Sequence, residues 1–394
     1  MDRTRFLLVL FAIITIPTVT AAPYANLATR SLAMGGLSVV NANADEAPQG
    51  NPALLQGQTK DDDGSVLLNA GGGIHDPNDL TTTLQDFQKA YSDLIAATTI
   101  PLGQEALTAA NSALSKASSR NFLAEAGVSL SSTFLLSNWA AALHLGNNSF
   151  SEVGVGSNDG NSPAIVYDPN FPLIDPTTNG TVDAVILSSS ELGLTLARKF
   201  QFFGLKSSVG FTPKIQSIST ALQSQSLDTF DANNINLVPG TAVTYSNIDA
   251  GMVVEVAQMF NVGLVVKNII PLSIPAGAQT ISMQPQYRGG VAFKTRAYTL
   301  GMDLDLEPNQ PLLSGSRTQY MIFGTEMNAN NLFQMRMGYR TDLLNSTDTN
   351  YTVGFGFSPY GIHIDLAVLY NPNNTNPDIP FDGVTAGLSF GVKY

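Results

Sequence analysis

Gly387-Leu-Ser-Phe-Gly391 has the G-x-S-x-G spacing of a hydrolase nucleophile elbow, with Ser389 at its centre. His363 and Asp365 supply the other residue types that a serine-based acyl transfer requires. That motif works on a sharp strand-to-helix turn. Here it lies inside an alternating segment, Ala386 to Tyr394, with no helix after it, so no catalytic residues are expected. The chain has no cysteine, which removes thiol nucleophiles, disulfides and thiolate metal sites. His75, His144 and His363 lie far apart and form no metal-ligand spacing. No phosphate-cradling glycine loop, zinc signature or EF-hand spacing appears, so neither cofactor nor metal is expected.

The remaining polar chemistry is charge placed at every second position of apolar stretches. In Tyr287–Arg296, Val291 and Phe293 alternate with Arg288, Lys294 and Arg296. In Tyr298–Glu307, Leu300, Met302, Leu304 and Leu306 alternate with Asp303, Asp305 and Glu307. In Asn331–Arg340, Phe333, Met335, Met337 and Tyr339 oppose Gln334, Arg336 and Arg340. A one-residue slip in pairing would move every charge to the other face. An arginine or lysine facing lipid at mid-membrane costs about 2–4 kcal/mol, so the charged faces are expected inward. The inward set comprises Lys199, Lys206, Lys267, Arg288, Lys294, Arg296, Arg336, Arg340 and Lys393 against Glu191, Glu255, Asp303, Asp305, Glu326 and Asp365. Mixed signs of this kind brace a barrel and help hold a plug, whereas a charge-selective pore favours one sign.

The elements that must position these residues are about fourteen short strands, from residue 64 to the end, joined by alternately long and short connectors. That asymmetry suits a transmembrane β-barrel with tight turns on one side and long loops on the other. Strands are expected to end near 146 and 218 and to resume near 183, leaving asparagine-rich loops at 147–182 and 219–242. One helical stretch interrupts the pattern: Leu80, Leu84, Phe87, Tyr91, Leu94 and Ile95 recur at helical spacing. Pro101 and Gly103 break it and a weaker stripe follows, predicting a helical hairpin over about 78–119 that covers a barrel mouth.

Composition agrees with a barrel. Only 13% of the 394 residues are charged although 44% are hydrophobic, and no apolar run is long. Soluble domains carry about 25% charged residues. The net charge of −12 excludes the basic stripe of a nucleic-acid surface. Arg3 and Arg5, the apolar Phe6 to Ile16 and the small residues at 19–22 read as a signal peptide over 1–22. The mature chain is thus expected to comprise an N-terminal segment at 23–63 and a barrel at 64–394, in the outer membrane of a Gram-negative bacterium.

Within that N-terminal segment, Arg30-Ser-Leu-Ala-Met34-Gly35-Gly36, followed by small residues and Asn51-Pro52-Ala53-Leu54, resembles the start of FadL-type outer-membrane barrels. With Val262–Ile269, Arg288–Ala292, Leu300–Leu306 and Arg336–Arg340, the chain is more similar to the plasmid conjugal-transfer TraF-like members of that superfamily. A thioredoxin-like family shares the TraF name, and a chain without cysteine is not of that kind. The resemblance implies a fourteen-strand barrel closed by an N-terminal hatch, with Asn51, Pro52 and Ala53 at the hatch end. It further implies a channel for small hydrophobic compounds, or alternatively a non-transporting barrel within a conjugation apparatus. The implied partners are outer-membrane lipids and lipopolysaccharide, a hydrophobic small molecule and conjugation proteins. On this reading Leu80, Leu84, Phe87 and Tyr91 form an apolar capture site, and residues 23–54 gate the lumen.

Overall fold

A strand with alternating polar and apolar positions has two unlike faces, and a closed sheet lets one face meet lipid while the other lines an interior. In the computed structural model, fourteen strands close into an antiparallel barrel in sequence order. They are β1 Gly64–His75, β2 Asn121–Leu136, β3 Trp139–Ser157, β4 Gly180–Phe202, β5 Leu205–Ser226, β6 Val243–Ala257 and β7 Phe260–Lys267. The second half comprises β8 Gln286–Lys294, β9 Tyr298–Asp305, β10 Tyr320–Ala329, β11 Phe333–Asp342, β12 Thr349–Phe357, β13 Ile362–Tyr370 and β14 Val384–Lys393. β14 pairs with β1, Lys393 opposite Ser65, to close the ring. The structure describes residues 28–57, 64–76, 79–97, 99–118, 121–136, 138–158, 161–166, 176–230, 240–276, 279–309, 312, 317–345, 348–373 and 381–394. The expected signal peptide at 1–22 lies outside them, as do 23–27 and 58–63 of the N-terminal segment.

The faces are opposite to those of a soluble protein. On β11, Gln334 and Arg336 are buried, while Met335 and Met337 are 55% and 61% exposed. On β13, His363 and Asp365 are buried, while Ile364, Leu366 and Val368 are exposed. Polar groups therefore occupy the enclosed side and apolar side chains face outward, as a bilayer requires. The tight turns share one end of the barrel. Phe203-Gly204, Asn330-Asn331 and Tyr360-Gly361 each place two consecutive residues at positive φ, between 49° and 82°. Two such residues match the right-handed twist of a hairpin.

The wall is uneven in height. β3, β4 and β5 are 19, 23 and 22 residues long, against 8 for β7 and β9. At about 3.3 Å per residue, the longest reaches about 75 Å, far more than a tilted strand needs to cross an apolar band about 25 Å tall. The stretches at 147–157, 180–182 and 219–226 are thus strand, where the sequence reading expected loop. Lipid-facing leucines stop at Leu145 and Leu192, and serine and asparagine take over beyond them. Higher still, other elements cover the wall, at Val153, Val155 and Val182 on one face and at Val185, Leu187 and Ile218 on the other.

On the outside, two helices, α1 Leu80–Ala96 and α2 Ile100–Ala117, pack against β2–β5. Leu80, Leu84, Phe87, Tyr91 and Leu114 form one core with Val155, Val182 and Leu227, flanked by Phe122 and Val153. Val155 shares its face of β3 with the exposed Trp139, Leu143 and Leu145, and Val182 shares its face of β4 with the exposed Leu192 and Leu194. The helix pair thus leans on the outer surface of the raised wall and does not cover the mouth. On the inside, a small hairpin, Leu272–Ala276 with Gln279–Met283, packs on Val185, Leu187 and Ile218. Among the described residues, that hairpin is the element that packs inside the raised wall.

Candidate functional site

Residues 28–57 lie within the barrel. A helical turn, Thr29–Leu32, ends at Gly35 and Gly36, whose φ values of 78° and 99° reverse the chain. Gly36 N donates to Ser31 O at 2.8 Å. A side chain at Gly35 would also stand 3.1 Å from Ile322 and 3.2 Å from the Tyr339 carbonyl. The segment ends in a 3₁₀ helix, Pro52–Gly57. It adds no strand to the barrel sheet, and the hydrogen bonds that hold it to the wall run through side chains.

A belt of inward glycines lets it approach so closely. Gly210 pairs with Gly251, Gly263 with Gly290, and Gly301 with Gly324, which in turn pairs with Gly338. A Cβ at Gly210 would strike Pro52, at Gly251 Asn51, and at Gly338 the Met34–Gly35 peptide. At Gly324 it would lie 2.7 Å from the Met34 carbonyl, and at Gly263 2.7 Å from Val40. The wall therefore has a groove shaped to backbone, where any other residue would intrude. The sequence reading passed over this belt. Its signal was one glycine per strand at matched register, legible only once strand pairing is known.

Charge fastens the segment at one side of the belt. Arg30 forks onto Glu326, Nε to Oε2 at 2.9 Å and Nη2 to Oε1 at 3.0 Å, and also donates to the Asn41 carbonyl. Glu326 accepts from Arg336 Nε at 2.6 Å, and Arg336 Nη1 donates to Asp365 at 2.5 Å. Asp365 accepts in turn from Ser389 at 3.2 Å. An alternating chain of charges thus runs from the inner segment across β10, β11 and β13 and ends on the Ser389 hydroxyl of β14. Buried pairs of this geometry repay desolvation only when the remaining hydrogen-bond sites are filled. Glu46, on the inner segment itself, sits 3.9 Å from Arg30. Burial pushes the Glu46 carboxyl up to about 7, against the pull of Arg30. Burial alone would lower the Arg30 guanidinium, but Glu326 and Glu46 outweigh it and hold the group above its ordinary value.

Backbone groups are held as well. Asp303, fully buried, accepts from Ser38 N at 2.7 Å and Val39 N at 2.9 Å. Asn51 donates to the Val39 carbonyl at 2.8 Å and the Leu264 carbonyl at 3.3 Å, while its Oδ1 accepts from Ala53 N at 3.0 Å. Arg30, Met34, Gly35, Gly36, Asn51, Pro52 and Ala53 are all buried against the wall.

The expected inward charges divide into two groups. Arg288, Asp303, Asp305, Glu326, Arg336 and Asp365 are buried in the lumen, Arg288 bonding Asp305 at 2.6 Å. Lys267, Lys294 and Arg340 are half-buried, and Lys267 donates to the Gln49 carbonyl. Arg296 does not line the lumen: it lies exposed in the turn between β8 and β9, where the strand has already ended. Lys199, Lys206 and Lys393 are exposed at the turn end, and Glu255 pairs there with Lys206 at 3.6 Å. Leu80, Leu84, Phe87 and Tyr91 are each at most 6% exposed. They are enclosed by the helix core and offer no open capture face. The acyl-transfer trio is not assembled either, because Ser389 donates to Asp365 while His363 Nε2 faces Asp45 at 3.3 Å.

The family model for the F plasmid transfer operon TraF protein matches residues 48–305. No curated protein matches the sequence. Among solved structures, a deletion mutant of the TodX monoaromatic hydrocarbon channel aligns over 93% of this chain and 98% of its own, with 13% identity and a TM-score of 0.52. The CymD monoaromatic hydrocarbon channel aligns over 95% and 99%, at 11% identity and a TM-score of 0.51. The Ralstonia pickettii toluene transporter TbuX covers 93% and 98%, at 12% identity and 0.50. With a family match over more than half its length, the chain belongs to the TraF family of the F plasmid transfer operon, and its barrel shares the fold of the TodX and CymD channels.

Proposed function

We propose that this protein is a FadL-like outer-membrane channel for small hydrophobic compounds, and that residues 28–57 act as its hatch. The carrying observation is the way the inner segment is held. It rests on a glycine groove and a short set of side-chain bonds, outside the barrel's hydrogen-bond ladder. Such a segment can move without breaking a strand pair, which fits gating and is more than simple filling requires. The likeness to hydrocarbon channels supports the choice of cargo.

The test is deletion of residues 28–57 and reconstitution of both forms into liposomes. Conductance and uptake of small solutes should rise in the deletion form, whose heat-modifiable gel mobility should remain that of a closed barrel. Unchanged conductance would remove the gating role.

A second reading, a non-transporting barrel of a conjugation apparatus, draws on the raised β3–β5 wall with its helix pair, which presents a surface well above the bilayer. Toluene flux no faster than through bare lipid, with mating lost when the helix pair is removed, would favour it.

A further inference from the structure

On the long-loop side of the inner segment the lumen keeps a cavity of about 100 Å³, with Gln49 of that segment below it and Met283 of the small hairpin above. Four of its side chains carry an atom sealed from solvent and without a hydrogen-bond partner: Asn69 Nδ2, His144 Nδ1, Gln216 Oε1 and Asn268 Oδ1. Their other polar atoms are largely engaged. Asn69 Oδ1 accepts from Thr29 N at 3.3 Å, Gln216 Nε2 donates to Glu191 at 3.0 Å, and His144 Nε2 lies 3.6 Å from Glu191. Buried polar groups are rarely left unpaired, and a cluster of them calls for an occupant.

Several observations define that occupant. Of the four unpaired atoms, Asn69 Nδ2 donates, Gln216 Oε1 and Asn268 Oδ1 accept, and His144 Nδ1 can do either. A guest group that both donates and accepts matches this mixture of donors and acceptors. The local charges already balance: Lys214 and Lys267 stand against Asp249 and Glu191, with Lys214 3.0 Å from Asp249 and 3.2 Å from Glu191 and Lys267 attracted to Glu191. A charged guest would bring an uncompensated charge into a partly buried site whose own charges already cancel. One side of the cavity is apolar, formed by Phe150, Leu187 and Met283, and continues into the hairpin core. An apolar cavity of about 150 Å³ is what a benzene ring requires. At about 100 Å³ and polar, this one suits a head group whose body extends along the apolar side.

We propose that this chamber binds the uncharged polar head, a hydroxyl or a carboxamide, of a small amphipathic molecule whose apolar body lies on Phe150, Leu187 and Met283. The inference rests on the reading of the lumen as a passage and narrows its cargo, setting alcohols and amides above both bare hydrocarbons and carboxylates.

The test titrates the full-length protein in detergent with benzyl alcohol, toluene and benzoate, and follows toluene flux through proteoliposomes in parallel. Benzyl alcohol should bind at least about tenfold more tightly than either other probe. Gln216→Met and Asn69→Leu, each close in size to the residue it replaces, should weaken benzyl alcohol by about tenfold and leave toluene unchanged. Heat-modifiable mobility checks that both variants still form barrels. Equal binding of toluene or benzoate, or a cavity holding only ordered water at saturating benzyl alcohol, would overturn the proposal. Toluene flux without any preference for the alcohol would overturn the chamber and spare the channel. Alcohol binding without flux would retain the site and remove the passage.

Discussion

Arg30→Met tests whether the inner segment is a separately held unit. The guanidinium is 5% exposed and forks onto Glu326 at 2.9 and 3.0 Å. Removing one partner of a buried ion pair costs about 3–5 kcal/mol, because the other charge is left uncompensated. Here Glu326 keeps Arg336 at 2.6 Å, which puts the loss at the lower end, about 3 kcal/mol. At 1.4 kcal/mol per factor of ten, that is about a hundredfold in the docking equilibrium. Hydrogen exchange reads this directly. Leu32 N and Ala33 N, bonded to the Ala28 and Thr29 carbonyls at 2.9 Å, should lose about that factor in protection. Strand amides should keep theirs, and open-state conductance should rise. Adding Glu326→Gln should cost less than the two single effects combined, since the stranded charge has gone. Protection of residues 28–57 unchanged within about twofold, or strict additivity of the two substitutions, would refute the reasoning.

Three further outcomes follow from the same geometry. Gly338→Val places a side chain in the Met34–Gly35 peptide; it should displace the inner segment and raise conductance while the barrel stays closed. Glu46 titrates near 7 when buried, above its ordinary value of 4.5, so its neutral form favours docking. Docking free energy should therefore fall as pH rises from about 4.5 to about 7 and level off above, and Glu46→Gln should flatten that dependence in hydrogen exchange at pH 5 and 8. Phe87→Ala, at a fully buried site in the helix core, should cost about 3–5 kcal/mol; proteolysis within 80–117 should speed up while heat-modifiable barrel mobility is unchanged.

The barrel was legible because side-chain alternation is a local property. Met335, Arg336 and Met337 announce a two-faced strand with no knowledge of its neighbours. The upper wall was not legible. Asn147, Asn148 and Ser149 look like loop, yet they pair with β2 on one side and β4 on the other, and the helix pair covers the wall above them at Val153 and Val155. The helical stripe of Leu80, Phe87 and Tyr91 showed that a face must be buried, but not against what. That face meets Val155 and Val182 on the outside of the wall, so the expected capture surface is a closed core. Arg296 illustrates the limit of periodicity at an edge, since the alternation runs one step past the end of the strand.

By itself, the order of residues determined that each strand carries one charged and one apolar face; the basic-apolar leader, the loop asymmetry and the aromatic end were what pointed the charged face inward. The two faces follow from the free energy of moving a side chain between water, lipid and an enclosed interior, and a period of two displays that separation without saying which face is enclosed. Only the tertiary structure decided which partners meet: Arg30 with Glu326, Asn51 with the Leu264 carbonyl, and a glycine from each of several strands beneath one stretch of backbone. Arg30 and Glu326 alone stand 296 positions apart. The strength of such contacts depends on burial and distance after closure of the ring, and no local pattern encodes either.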